Sequence, residues 1–245
     1  MFNRYIQIGT PKTRFYKNIM IRANPSLHDE AFDKLRSIIP AGAKILDLGT
    51  GQGAFAQRLH DSGYIVIAAD MNPEDFKATG IEYRTVNFDS IDDVANFKKE
   101  YAGHFDAVVG MEVIEHVENP WDYIRLIKPL LKKTGVALIT TPNIESAFSK
   151  IEFLFCGNHY HFTHSDYVGS GHINPLTILE IEIILQKENL ILLNSGTMCL
   201  IPKFIVTRNI KVMLFGLINV LFGWAFGSRA NGDIVFVTFK NCDNA

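Results

Sequence analysis

Two groups of residues have types and spacings that could do chemistry. The first is Asp47-Leu48-Gly49-Thr50-Gly51-Gln52-Gly53, followed 17 residues later by Asp70. Glycines let a chain turn tightly and let a ligand approach the backbone. A helix starting at that turn aims free N–H groups at the ligand. A carboxylate at the place of Asp70 can accept hydrogen bonds from two ribose hydroxyls. Gly51-x-Gly53-x-x-Ala56 also satisfies the loose nicotinamide-dinucleotide pattern. Asp47 argues against that ligand. Inside the turn it would repel a pyrophosphate, and it is better placed to meet a cationic group. The remaining reading is a glycine-rich turn with no ligand.

The second group is Glu112-Val113-Ile114-Glu115-His116-Val117. If this stretch is a helical turn, Glu112, Glu115 and His116 fall at i, i+3 and i+4 and share one face. Two carboxylates and an imidazole can hold a divalent cation (Mg, Mn or Zn), with His172 as the best fourth ligand. Without a metal, His116 or His172 could be a general base. The bland reading is that Glu115 and His116 cap the next helix. A third cluster, His159, His161 and His164, has spacing compatible with a metal. We prefer a lid in which Tyr160, Phe162 and Tyr167 shape an acceptor pocket. Trp121 and Arg125 read as packing and surface.

These residues need a scaffold, and residues 41 to 141 supply one by alternating strand-like and helix-like runs. Lys44–Leu48, Tyr64–Ala69, Ile81–Phe88, Phe105–Gly110 and Val136–Thr140 read as strands. Ala54–His60, Ile91–Tyr101 and Trp121–Lys133 read as helices. Such alternation implies βαβ units and a parallel sheet covered on both faces. Residues 142–173 read as loop, Pro175–Glu188 as a helix, Leu190–Asn194 as a strand and Ile234–Phe239 as the closing strand. The domain reading is an N-terminal lid or extension over 1–40 and a single doubly wound α/β domain over 41–245. That domain carries an insertion at about 199–230.

Composition narrows the class. Apolar residues make up 47% and charged residues 20%, so the chain is neither disordered nor low-complexity. Cys156, Cys199 and Cys242 are odd in number and form no CxxC pair. That excludes a disulfide scaffold or a cysteine zinc site and suits a reducing compartment. No secretory pattern is visible, so a cytoplasmic location is expected. The net charge of −2 hides an asymmetry. Arg4, Lys12, Arg14, Lys17 and Arg22 precede residue 26, and Lys203, Arg208, Lys211 and Arg229 lie within 199–230, with no acid in either segment. An acidic body with a basic, apolar periphery is unlike a nucleic-acid binder. Ile210–Gly227 is 18 residues long with one charge. It is short for a membrane span, and an interfacial helix on anionic lipid fits its composition. A homodimer interface or a cap over the site are the alternatives. Arg14-Phe15-Tyr16-Lys17 could join that surface or form a lid helix.

Taken together, Asp47–Gly53, Asp70, Asn87-Phe88-Asp89, the Glu112–Val117 group, Thr141-Pro142-Asn143 and Gly171-His172-Ile173 resemble class I S-adenosylmethionine-dependent methyltransferases. The resemblance runs from about residue 40 to 195. It is closest to the branch of ubiquinone-pathway O-methyltransferases, sugar methyltransferases and small-RNA 2′-O-methyltransferases. It implies a Rossmann-like, seven-stranded sheet whose last strand is antiparallel. It implies that Gly49, Gly51 and Gly53 line the methionine end and that Asp70, followed by Met71, holds the ribose. Asn87, Phe88 and Asp89 would border the adenine, and Met111 would lie near the sulfonium. In the small-RNA branch a Glu-x-x-Glu-His group plus a distant histidine binds a metal. The resulting expectation is an S-adenosylmethionine-dependent O-methyltransferase acting on a sugar or lipid-linked glycan hydroxyl. A quinone-pathway phenol is the alternative acceptor. A nicotinamide-dependent oxidoreductase and a non-catalytic scaffold are the rivals from other classes.

Overall fold

The computed structural model describes residues 14–24, 26–200 and 210–242. Arg4, Lys12, Lys203 and Arg208 therefore lie outside the described residues. A small antiparallel hairpin comes first, β1 (Phe15–Tyr16) and β2 (Ile19–Met20), then helix α1 (Leu27–Arg36). The βαβ series follows as β3 (Lys44–Leu48), α2 (Ala54–Asp61), β4 (Ile65–Asp70), β5 (Glu82–Thr85), α3 (Ile91–Glu100), β6 (Phe105–Met111), α4 (Pro120–Leu130) and β7 (Leu131–Pro142). Then come α5 (Ala147–Cys156), α6 (His164–Ser170), α7 (Ile178–Lys187), β8 (Leu190–Leu200), α8 (Ile210–Phe222) and β9 (Gly232–Asn241).

The seven large strands form one sheet in the order β5-β4-β3-β6-β7-β9-β8. β3 to β7 are mutually parallel, and β9 runs antiparallel to both β7 and β8. The strand order reverses between β3 and β6, and open α/β sheets bind ligands at the carboxyl ends of strands at such a switch point. The glycine loop leaves β3 there, and the Glu112–Val117 group leaves β6 beside it.

Strand alternation explains the layers. Ile45, Val109, Leu138 and Phe236 point to one face, under Leu27, Ala31 and Leu35 of α1 and Phe55 and Leu59 of α2. Leu46, Val108, Ile139 and Val237 point to the other, under α3, α4 and α7. Period-two side-chain direction requires this split once both faces are covered. Because α1 contributes to the first of these cores, packing begins well before residue 40.

The structure differs from the sequence reading in several elements. The Arg14-Phe15-Tyr16-Lys17 run belongs to a hairpin rather than a lid helix. Lys17 turns it, and Tyr16 and Lys17 both bind Asp61. The third strand is only Glu82–Thr85. The fourth helix ends at Leu130, because Leu131 pairs with Phe105 and starts β7. The stretch expected as loop holds α5 and α6. Their signals are end caps: Ser146 Oγ accepts the Ser149 N–H, Thr163 and Asp166 form a capping box, and Gly157 and Gly171 close each helix in the left-handed region. β8 runs past Asn194 through a bulge between Leu192 and Asn194.

Asn143 fastens this end of the sheet. Its Nδ2 donates to the carbonyls of Arg229 (2.8 Å) and Gly232 (2.7 Å), joining β7 to the start of β9. Asn143→Ala removes both bonds and leaves buried carbonyls unmatched, at a cost of about 2–3 kcal/mol. A circular-dichroism melt should show a fall of roughly 4–10 °C; an unchanged melting temperature would refute the anchor.

Candidate active site

The loop after β3 is held from three sides. The Gly49 and Thr50 N–H groups donate to the Ala69 carbonyl at the tip of β4. The Asp70 carboxylate takes the Gly51 N–H at 2.8 Å on one oxygen and its neighbour Met71 N–H at 2.7 Å on the other. Gly49, Gly51 and Gly53 all have positive φ, the region that glycine adopts without steric cost. Space excludes larger residues at two of them. A Cβ on Gly49 would sit 2.3 Å from Val113 Cγ2, and one on Gly53 2.6 Å from Phe76 Cε2. At Gly51 a Cβ would meet Arg22 Cδ at an ordinary 4.0 Å.

Asp47 is placed differently from the expectation of a residue facing a cationic ligand. It is buried and accepts the Thr50 hydroxyl at 2.7 Å. Burial pushes its pKa up to about 7, and the charge of Asp70 adds to the rise. In this structure it braces the turn from beneath. On the other side of the cleft, Asn87, Phe88 and Asp89 form a turn after β5. Asn87 Oδ1 takes the Asp89 N–H (3.0 Å), and Asp89 Oδ1 takes the Glu118 N–H (2.9 Å). The Phe88 ring stands edge-on to Tyr123 at 5.7 Å. Met71 is exposed and Met111, at the tip of β6, is half-buried.

The Glu112–Val117 stretch is not a helix. Glu112 takes a left-handed backbone (φ 54), which breaks the i, i+3, i+4 face. Glu112 turns toward β7, where it accepts the Thr140 hydroxyl at 2.9 Å while its own N–H donates to that hydroxyl oxygen. Glu115 and His116 turn the other way. The N–H groups of Ile173 and Asn174 both donate to the Glu115 carbonyl at 3.0 Å, and this clamp carries His172 in. The rings of His116 and His172 meet at 4.8 Å. Ligand atoms of Glu115, His116 and His172 all lie within 4.8 Å of one another. The structure thus gathers three of the four expected residues and leaves Glu112 out.

The electrostatics of that trio are specific. His172 Nδ1 is 2.8 Å from the His161 carbonyl, which can only accept. The proton is therefore on Nδ1, and Nε2 carries the lone pair. Burial lowers the pKa of both His116 and His172, so both are neutral near pH 7. Glu115 is fully buried and neither carboxylate oxygen has a hydrogen-bond partner. Burial drives its pKa well above the ordinary carboxylate value, and burial followed by repulsion from Glu115 does the same to Glu112.

The three histidines of the later loop part company. His159 shares a hydrogen bond with Ser149 Oγ and stacks on Phe153, and His164 is exposed. His161 binds Asp233 Oδ1 at 2.9 Å, and Asn24 Nδ2 reaches the other Asp233 oxygen at 3.4 Å. Sequence reasoning missed Asp233 and Thr140. The only signal for Asp233 was an acid at the head of an otherwise apolar strand, Ile234–Phe239.

Comparison with known proteins supports the same assignment. A family model described as a methyltransferase domain matches residues 16–194. The chain belongs to that family. Its fold is that of the class I S-adenosylmethionine-dependent methyltransferases. An S-adenosylmethionine-dependent methyltransferase from Archaeoglobus fulgidus superposes with a TM-score of 0.65 at 16% identity, over 90% of this chain and 96% of that one. One from Mesorhizobium loti gives 0.55 at 17% identity, over 86% and 97%. Among curated proteins, a ubiquinone biosynthesis O-methyltransferase of Xanthomonas axonopodis pv. citri (strain 306) is 37% identical over 113 residues, 42% of this chain and 45% of that protein. Another, from Xanthomonas oryzae pv. oryzae (strain PXO99A), is 36% identical over 106 residues, 42% and 44%. The chain spans a little under half the length of these curated relatives.

Glu115 gives a stability test whose sign is fixed. A carboxyl whose folded pKa is raised contributes its stability at low pH and loses it as pH climbs above the unfolded value, near 4.5. Glu115→Gln removes that loss. In metal-free buffer the variant should melt higher than the parent at pH 8, by at least about 1 kcal/mol or roughly 2–4 °C, with the gap closing toward pH 4.5. A variant that melts lower at pH 8 would show that the buried carboxylate is favourably solvated.

Proposed function

We propose that this protein transfers the methyl group of S-adenosylmethionine to a hydroxyl oxygen of a small apolar acceptor, a phenol of the lipid-quinone type. The observation that carries the reading is the meeting of Glu115, His116 and His172 at the tip of β6, next to the glycine loop that leaves β3. The ubiquinone-pathway relatives favour a phenol over the sugar or glycan hydroxyl that the sequence pointed to first. The nicotinamide alternative loses its ground with the family assignment.

The proposed roles follow from the geometry. Gly51 leaves room for the methionine end of the donor, in a loop whose shape Gly49 and Gly53 set. The Asp70 carboxylate, already fixed by two N–H groups, accepts the ribose hydroxyls beside Met71. Asn87, Phe88 and Asp89 border the adenine, and Met111 stands near the sulfonium. The acceptor oxygen attacks the methyl carbon, the carbon–sulfur bond breaks, and S-adenosylhomocysteine leaves. The hydroxyl proton goes to a neutral imidazole, and His172 Nε2 is the better candidate because its partner nitrogen is fixed. Alignment of the oxygen with the sulfonium supplies much of the remaining rate.

The same trio fits a divalent cation. One carboxylate with two orphaned oxygens and two neutral imidazoles form a mixed donor set that suits Mn or Zn better than Mg. Glu115, His116 and His172 would hold it, and such an ion lowers the pKa of a bound hydroxyl. Glu112 is outside that set here and is hydrogen-bonded to Thr140.

Calorimetry with S-adenosylhomocysteine should show binding to the parent and loss of binding in Gly51→Val and in Asp70→Ala; unimpaired affinity in both variants would refute the donor site. Transfer to a prenylated catechol should exceed transfer to a sugar. His172→Ala should cost about 10²–10⁴ in rate while leaving S-adenosylhomocysteine binding intact. The base must be neutral, and burial has lowered its pKa, so activity should hold down to below pH 6.5 and fall only under that. An acid limb above pH 7 would exclude His172.

A further inference from the structure

The outer face of α8 is apolar and open to solvent, although its inner face is already packed. Ile218 and Phe226 lie against Phe148 and Ile151 of α5, and Asn219 is buried. On the outside, Leu214, Leu217 and Leu221 are about half exposed and Trp224 is 84% exposed. At the end of α5, the helix that packs on α8, Leu154 (76%) and Phe155 (64%) are exposed as well. A helix that is apolar on its exposed as well as its packed side belongs in an interior or against a partner, and exposed apolar side chains grouped on one helix mark an interaction surface.

Charge selects the partner. Between Glu188 and Asp233 the sequence holds Lys203, Arg208, Lys211 and Arg229 and no acid. Arg229 is paired with Glu145 and Glu182; the other three bases fall in the sequence within seven residues before α8 or at its second residue. A second copy docking by a two-fold axis would bring two stretches of net positive charge together. An anionic sheet attracts them, at about 1 kcal/mol per base near the surface. Length selects the mode. Thirteen helical residues extend about 20 Å, against a hydrocarbon layer of about 30 Å, and no helix of the described residues is long and apolar enough to cross a membrane. The flanking strands β8 and β9 are antiparallel neighbours, so the chain leaves and re-enters the same sheet.

We infer that α8 and the C-terminal end of α5 dock the protein on an anionic lipid surface, with the α8 leucines and Trp224 entering the headgroup layer. This goes beyond the methyl-transfer reading, and its test needs neither donor nor acceptor. The full chain is mixed with vesicles of phosphatidylcholine alone, or with roughly one third phosphatidylglycerol added. Expected are co-sedimentation with the anionic vesicles only, a blue shift of Trp224 emission over the constant signal of Trp121, and loss of both at high salt. Leu214→Ser/Leu217→Ser, which changes exposed positions, should weaken partitioning at least tenfold, and Trp224→Ser should weaken it while removing the shift. S-adenosylhomocysteine affinity, measured in parallel, checks that each variant is folded. The inference is overturned if the parent stays in the supernatant, if neutral vesicles capture it equally, or if the leucine variant binds like the parent. It is also overturned if ultracentrifugation shows a dimer that the leucine variant dissolves.

Discussion

The Asp70 carboxylate, bonded to the Gly51 and Met71 N–H groups, is the constraint on which the cleft depends. It ties the loop after β3 to the end of β4, so two strands that pair in register also share one rigid rim. The tie works only because the loop can take positive φ three times. It works also because Val113 and Phe76 press where side chains would otherwise be. Asp47 reinforces it from below through Thr50. The loop is thereby shaped before any ligand arrives, which lowers the ordering cost of binding.

The second half of the cleft is assembled by backbone rather than by side chains. Glu115 offers its carbonyl to Ile173 and Asn174, and His161 offers its carbonyl to His172. Two peptide oxygens thus set both the position and the tautomer of the histidine that faces His116. The carboxylate of Glu115, by contrast, is buried without a hydrogen bond, with His116 Nε2 3.9 Å away. A buried, unsatisfied carboxyl destabilises a fold, and such groups concentrate where chemistry needs them.

Much of the frame was legible from patterning, and the reason is physical. Strands buried on both faces read as continuous apolar runs, which located β3, β4, β6 and β9 closely. The glycine loop and Asp70 were readable because turn geometry and strand ends restrict residue type. Boundaries failed where pairing overrode local preference, as at Leu131 and beyond Asn194. α5 and α6 were missed because aromatics and histidines hid their caps. The assumed helical turn at Glu112 failed because a left-handed residue has no strong signature in a glutamate. Asp233 and Thr140 come from distant strands, and only the register of β7 against β9 brings that edge to the site.

The place of β9 has a consequence for synthesis. It is the last of the described strands in sequence yet sits between β7 and β8. Until it emerges from the ribosome, β7 has an open outer side and β8 has no neighbour at all. The intervening segment of roughly 30 residues prolongs that interval by about 2–6 s at ordinary elongation rates of 5–20 residues per second. For those seconds two long strands with unmatched backbone are available to any other nascent chain, which is the situation that invites aggregation. Rapid synthesis of β9, or a chaperone waiting at the tunnel exit, therefore matters more here than in a fold whose strands pair in the order they are made.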